Sequence, residues 1–169
     1  RAEPKVEEMV KEPKIEEVIE DGLFVVVGNK ALTKSDIVNE IKIILILNSI
    51  SYSDDKRDEL QKLAVKSSIK RSIKEIEINK NDFLKYDQND LNMELIRMAS
   101  KLNMDVETLK NICISNRLDF EIIKDQIKTE LLWNSLIFYL YGNRLSVNLD
   151  EIDEQLKQSK NKKEFTEYL

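Results

Sequence analysis

Residues 23–47, LFVVVGNKALTKSDIVNEIKIILIL, constrain this chain more than any other stretch. Residues 23–27 are β-branched and aromatic-containing, and Gly28-Asn29 is a two-residue turn with glycine first. The run therefore predicts a hairpin closed by a type II′ turn, with residues 30–32 returning as the second strand. Thr33 stands where a helix N-cap belongs, and Asp36 three residues on completes a capping box. Leu32 and Ile37 take the N′ and N4 positions of a hydrophobic staple, which fixes the angle between hairpin and helix. The helix behind, IVNEIKIILIL, is too apolar for a helix with one wet face. It is buried on most sides, or part of it meets a partner. Two strands alone are marginal in water, so the hairpin is expected to pack on the helices or to gain a strand from elsewhere.

The rest of the chain has little of what turn-rich folds need. Three Gly and two Pro in 169 residues are too few for an all-β or Rossmann-type α/β fold. The expected class is mainly α: a multi-helix domain with a small N-terminal β-hairpin. A second helix is predicted over residues 54–78, opened by Ser53, with Val65, Ile69, Ile73 and Ile76 as its apolar face and Lys66, Lys70, Arg71 and Lys74 opposite. Asp90 is the expected cap of a third helix carrying Leu91, Leu95, Met98 and Leu102. Asp105 caps a fourth with Val106, Leu109, Ile112 and Cys113. Asp119 caps the longest, residues 120–141, whose second half, LLWNSLIFYLY, is apolar almost all round. Gly142-Asn143 is expected to end that helix, and Asn148 to cap a short last one with Leu149, Ile152 and Leu156.

Charge is unevenly placed. Residues 1–21 hold eight acids against four bases, a net −4 of the chain's −5. Within them Glu3-Pro4-Lys5-Val6-Glu7-Glu8 returns as Glu12-Pro13-Lys14-Ile15-Glu16-Glu17. Two readings are open: a mobile acidic tail, or a docking segment whose Val6, Met9, Ile15 and Val18 lie on another surface. The body shows no basic excess, so no nucleic-acid partner is expected. No apolar run reaches the length of a membrane span. With no His and one Cys, a His-based triad, a His-ligated metal and an internal disulfide are excluded. No catalytic residues, cofactor or metal site are expected. Cys113 lies on an apolar stripe and reads as a buried, inert thiol.

The order of these elements carries a resemblance. A hairpin ending in Ala31-Leu32-Thr33-Lys34-Ser35-Asp36-Ile37 and a long second helix lead to two short helices and a long one containing Glu130-Leu131-Leu132-Trp133. Arg144, Val147 and Asp150-Glu151-Ile152-Asp153 follow. Over roughly residues 22–156 this resembles the N-terminal domain of the SurA-like periplasmic chaperones, whose domain opens on V-x-N-x-x-I-T-x-S-D-[IL] and closes on V-[TS]-x-x-E-[IV]. The chain departs from that pattern in having Gly28 for the usual Asn and Leu32 for the usual Ile, and residues 1–21 have no counterpart.

The resemblance implies a chaperone domain at 22–157 and, at 158–169, a linker into a parvulin-type peptidyl-prolyl isomerase domain of a longer parent; residues 1–21 are set apart as an acidic tail by their charge alone. It also implies a periplasmic location and, as partners, unfolded outer-membrane proteins or other aromatic-rich peptides. A parvulin site needs paired His, so isomerase activity is not expected of these residues. The surplus apolar side chains single out Ile43, Ile44, Leu47, Trp133, Phe138, Tyr139 and Tyr141 as candidate peptide contacts. The competing readings are core packing of those side chains, a substrate-feeding role for an isomerase, and a helical scaffold that forms a homodimer by hairpin or helix exchange.

Overall fold

The computed structural model describes residues 25–167, with side chains as far as residue 162; the acidic repeat and the first two residues of the expected hairpin lie outside the described residues. The chain divides into two compact units, Arg1–Trp133 and Asn134–Leu169. The fold is mainly α. Among the described residues there are an antiparallel hairpin, β1 (Val25–Val27) and β2 (Lys30–Leu32), and five α-helices. These are α1 (Lys34–Leu47), α2 (Arg57–Asn79, entered through a 3-10 turn at Asp54–Lys56), α3 (Gln88–Lys101), α4 (Val106–Ser115) and α5 (Phe120–Glu167).

The hairpin pairs Val25 with Leu32 and Val27 with Lys30. Gly28 adopts φ +58° while Asn29 keeps a negative φ, the sign pattern of the expected type II′ turn. A Cβ at Gly28 would come within 3.1 Å of Ile76 Cδ1, so the turn is pressed onto the end of α2. Strand β1 packs on α2, and Lys30 is ion-paired with Glu75. The hairpin is thus held by a helix, as its marginal intrinsic stability requires.

Helix α1 starts with the expected capping box. The Asp36 amide donates to Thr33 Oγ1 at 3.2 Å, and the Thr33 amide donates to Asp36 Oδ2 at 2.9 Å. Most of α1 is core: Ile37, Val38, Ile41, Ile43, Leu45 and Ile46 are all buried. Burying each such side chain contributes on the order of 1.5–3 kcal/mol. Around them gather Leu60 and Ala64 of α2, Leu91, Leu95 and Ala99 of α3, Leu109, Ile112 and Cys113 of α4, and Phe120, Ile123 and Ile127 of α5.

The face that α2 buries differs from the expected one. Leu60, Ala64, Ser68 and Ser72 are buried, whereas Val65, Ile69 and Ile76 are half-buried and Ile73 is exposed. The reason lies in the partner. Helix α1 supplies large branched side chains to its contact with α2, and small residues opposite let the two backbones approach. Arg71 falls on the same face as Ser68 and Ser72 and reaches Glu40 of α1. Turning the aliphatic stripe inward would break that pair.

Three helices end without glycine. Ser49, Asn103 and Arg117 adopt φ of 52°, 56° and 51°. Each is followed by the same pair of turn bonds: Ser49 N to Ile46 O and Ile50 N to Leu45 O, Asn103 N to Ser100 O and Met104 N to Ala99 O, Arg117 N to Ile114 O and Leu118 N to Cys113 O. These are Schellman motifs, which normally place Gly at the left-handed position. They explain how a chain with three Gly makes its tight reversals.

Two boundaries correct the sequence reading. Helix α3 is capped by Asp87, whose Oδ1 accepts from the Asn89 amide at 2.8 Å, so Asp90 is a first-turn acid and not the cap. Gly142-Asn143 does not end the long helix, and Asn148 caps nothing: α5 runs unbroken to Glu167, through residues expected to form a linker. Gly142 keeps a negative φ with nothing within 4 Å of a notional Cβ. A helical Gly costs only about 1 kcal/mol relative to Ala, and an established helix propagates through it when no tertiary contact rewards reversal.

Candidate functional site

The seven candidate side chains separate into three environments. Ile43 is 4% exposed and belongs to the core, so it is not available to a peptide. Its position on α1 turns it inward together with Ile37 and Ile41. Ile44 and Leu47 are half-buried and packed against the same core. Trp133 is half-buried as well, with Lys74 Nζ 5.8 Å from its ring centroid. That lysine also donates to Glu130 Oε1 and Oε2 at 2.8 and 3.0 Å. The indole is therefore part of a fixed α2–α5 contact within the first unit.

Phe138, Tyr139 and Tyr141 are exposed, Phe138 at 80% and Tyr141 at 68%. They lie in the second unit, where α5 also exposes Ile137, Leu140, Leu145, Leu149, Ile152 and Leu156. Sequence reasoning weighed this segment as a helix packed on several sides, and the exposure contradicts that reading for residues 137–141. The sequence predicts Leu149, Ile152 and Leu156 as the face of a separate short helix and assigns Leu145 to the break before it. Because α5 is continuous, all four instead extend one stripe with Phe138 and Tyr141 at spacings of three and four residues. The sequence signal was present in that spacing, and the glycine concealed it.

The first unit has a polar recess of about 270 Å³ near the hairpin, lined by Lys30, Asp36, Glu40, Arg71, Glu75 and Gln126. Its charges satisfy one another. Arg71 Nη1 and Nη2 donate to Glu40 at 2.7 and 3.0 Å, and Gln126 Nε2 adds a third bond to Glu40 at 3.1 Å. Lys30 pairs with Glu75, and Asp36 is spent on the capping box. Such a self-satisfied network holds helices together and offers no group poised for chemistry. Among the described residues no three potential metal ligands come together, and no helix is long and apolar enough to cross a membrane.

Cys113 is fully buried, and loss of solvation pushes its thiol up to about 11. It is an inert core thiol. Val65 and Ile69, expected on the face opposite Lys66 and Lys70, meet those lysines on the outer face of α2. There Val65 and Ile69 floor an open trough rimmed by Arg57, Lys62, Lys66 and Lys70.

Comparison with known proteins adds no relative: no family model, no curated protein and no solved structure matches the chain.

Proposed function

We propose that this chain is an ATP-independent chaperone domain of the SurA-like kind, acting in the periplasm on unfolded outer-membrane proteins. The observation that supports this reading is the exposed stripe on α5. Phe138 and Tyr141, continued by Leu145, Leu149, Ile152 and Leu156, offer aromatic and aliphatic side chains to water over several helical turns. Exposed apolar surface of that extent marks a binding site for other chains. Aromatic side chains carry a large share of the energy in such contacts. The contact set is accordingly Phe138, Tyr139 and Tyr141 with the aliphatic continuation. Ile43 is withdrawn as a peptide contact because it is core.

The test is suppression of aggregation of an unfolded outer-membrane β-barrel at a near-stoichiometric ratio, compared with a Phe138→Ser/Tyr141→Ser variant. Protection by the parent sequence and its loss in the variant are the expected results; absence of protection at large excess would sink the reading. Since the chain holds no His, a proline-limited refolding assay is expected to show no acceleration.

A second reading is favoured by the spacing of Leu145, Leu149, Ile152 and Leu156, which steps by four, three and four. That is the seam of a two-stranded coiled coil, and a second copy of the chain would fill it. Light scattering after size-exclusion chromatography separates the two. A dimer stable on dilution favours the scaffold, and a monomer favours client binding.

A further inference from the structure

We propose that the chain's own N-terminal acidic repeat docks in the trough on the outer face of α2. Helix α2 buries its small residues, turns only part of Val65 to the core, and leaves Ile69 half-buried and Ile73 exposed. The space above Val65 and Ile69 measures about 620 Å³, within the roughly 300–1,000 Å³ of sites that accept side chains and small ligands. Lys62, Lys66 and Lys70 stand along its rim, all exposed, and none meets a carboxylate among the described residues. With Arg57 and Asp58 the lining sums to a charge of +3.

The acidic repeat is the complement. Residues 1–21 carry a net charge of −4, and each copy joins paired acids to apolar residues, Val6 and Met9 in the first and Ile15 and Val18 in the second. Apolar side chains seated on Val65 and Ile69 would bring Glu16, Glu17 and their counterparts Glu7 and Glu8 to the lysines. Charge also distinguishes the two uncovered apolar surfaces. Residues 138–156 of α5 contain Arg144 against Asp150, Glu151, Asp153 and Glu154, so that stripe repels an acidic segment while the α2 trough attracts it.

Strand β1 packs on α2, the helix that carries the trough, and the seven-residue step from Val18 to Val25 can span up to about 24 Å. Tethering keeps the affinity requirement modest. A short linker holds the segment at roughly millimolar effective concentration, so a contact of only millimolar intrinsic affinity closes about half of the molecules.

The experiment uses the full chain with a nitroxide on Glu17→Cys, the buried Cys113 staying unlabelled, and reads paramagnetic broadening of backbone amides. The expected result is loss of about half the signal or more over residues 61–70, the closed fraction that millimolar effective concentration gives. It should be independent of protein concentration and reversed by high salt and by Lys62→Glu/Lys66→Glu/Lys70→Glu. The variant's amide spectrum elsewhere reports that it is folded. Broadening no greater over 61–70 than over other exposed helices overturns the proposal. So does broadening seen only when labelled protein is mixed with isotope-labelled, spin-free protein, which makes the occupant a second copy. Salt-insensitive broadening that survives the triple variant also overturns it, because recognition would then not be by charge.

Discussion

Replacing Arg71 with Met is expected to destabilise the first unit by about 3–5 kcal/mol, the usual cost of stranding one member of a buried ion pair. The Glu40 side chain is 5% exposed and receives three hydrogen bonds, two from the Arg71 guanidinium at 2.7 and 3.0 Å and one from Gln126 at 3.1 Å. Without the guanidinium the carboxylate keeps one neutral amide and no counter-charge. Methionine fills the space of the aliphatic stem, which confines the loss to the charged head. In Glu40→Leu/Arg71→Met both charges are gone and an apolar pair replaces them. Buried pairs exchanged in this way are often neutral, so the double variant should return to within about 1 kcal/mol of the parent. Gln126 is half-buried and can turn its amide to water. Urea unfolding followed by far-ultraviolet circular dichroism measures all three proteins. A single variant that loses less than about 1 kcal/mol would mean that water already solvates Glu40. A double variant as unstable as the single one would mean that shape, not charge, was lost.

Substitutions at two positive-φ turns should have opposite signs. Ser49→Gly relieves a left-handed residue at an exposed helix end and is expected to stabilise by about 1 kcal/mol, whereas Gly28→Ala adds strain plus a contact with Ile76 and should cost at least that much, both read by thermal unfolding. The hydrogen bonds from Thr108 hold Asp105 below the usual carboxylate range. Its cap therefore contributes stability above the unfolded carboxylate pKa and loses it as pH falls through the lower folded value. Asp105→Asn keeps a capping side chain and should flatten the acid limb of a stability–pH profile. Cys113 should resist alkylation at neutral pH until the protein unfolds, so its modification rate should follow the urea transition.

What was legible in the sequence was local. Thr33, Asp105 and Asp119 cap the helices they precede because a cap needs only its own side chain and an amide two or three residues on. The type II′ sign pattern follows equally from two residues. The orientation of α2 was not legible, since the choice between Ala64-Ser68-Ser72 and Val65-Ile69-Ile73 is made by the bulk of α1 and by Glu40, both distant in sequence. Three helix ends used Ser49, Asn103 and Arg117 where the rule looks for glycine, and the glycine that did look like a stop, Gly142, is helical. The candidate surface divides in the same way. Phe138, Tyr139 and Tyr141 stood out by being apolar beyond what one helix face can hide, and they are exposed. Ile43 stood out for the same reason and is core, because four helices close around α1.

Gly142 has one further consequence, in how α5 opens. Between Phe120 and Trp133 the helix is clamped by buried Phe120, Ile123 and Ile127, so its amides there should exchange with solvent only when the whole first unit unfolds. Past Gly142 every residue as far as residue 162 is exposed, so no buried side chain clamps those turns. Amide exchange along this one element should therefore fall into two regimes, slow and cooperative from Phe120 to Trp133, fast and graded beyond Gly142. A ligand seated on the Leu145–Leu156 stripe would be read directly as protection gained beyond Gly142.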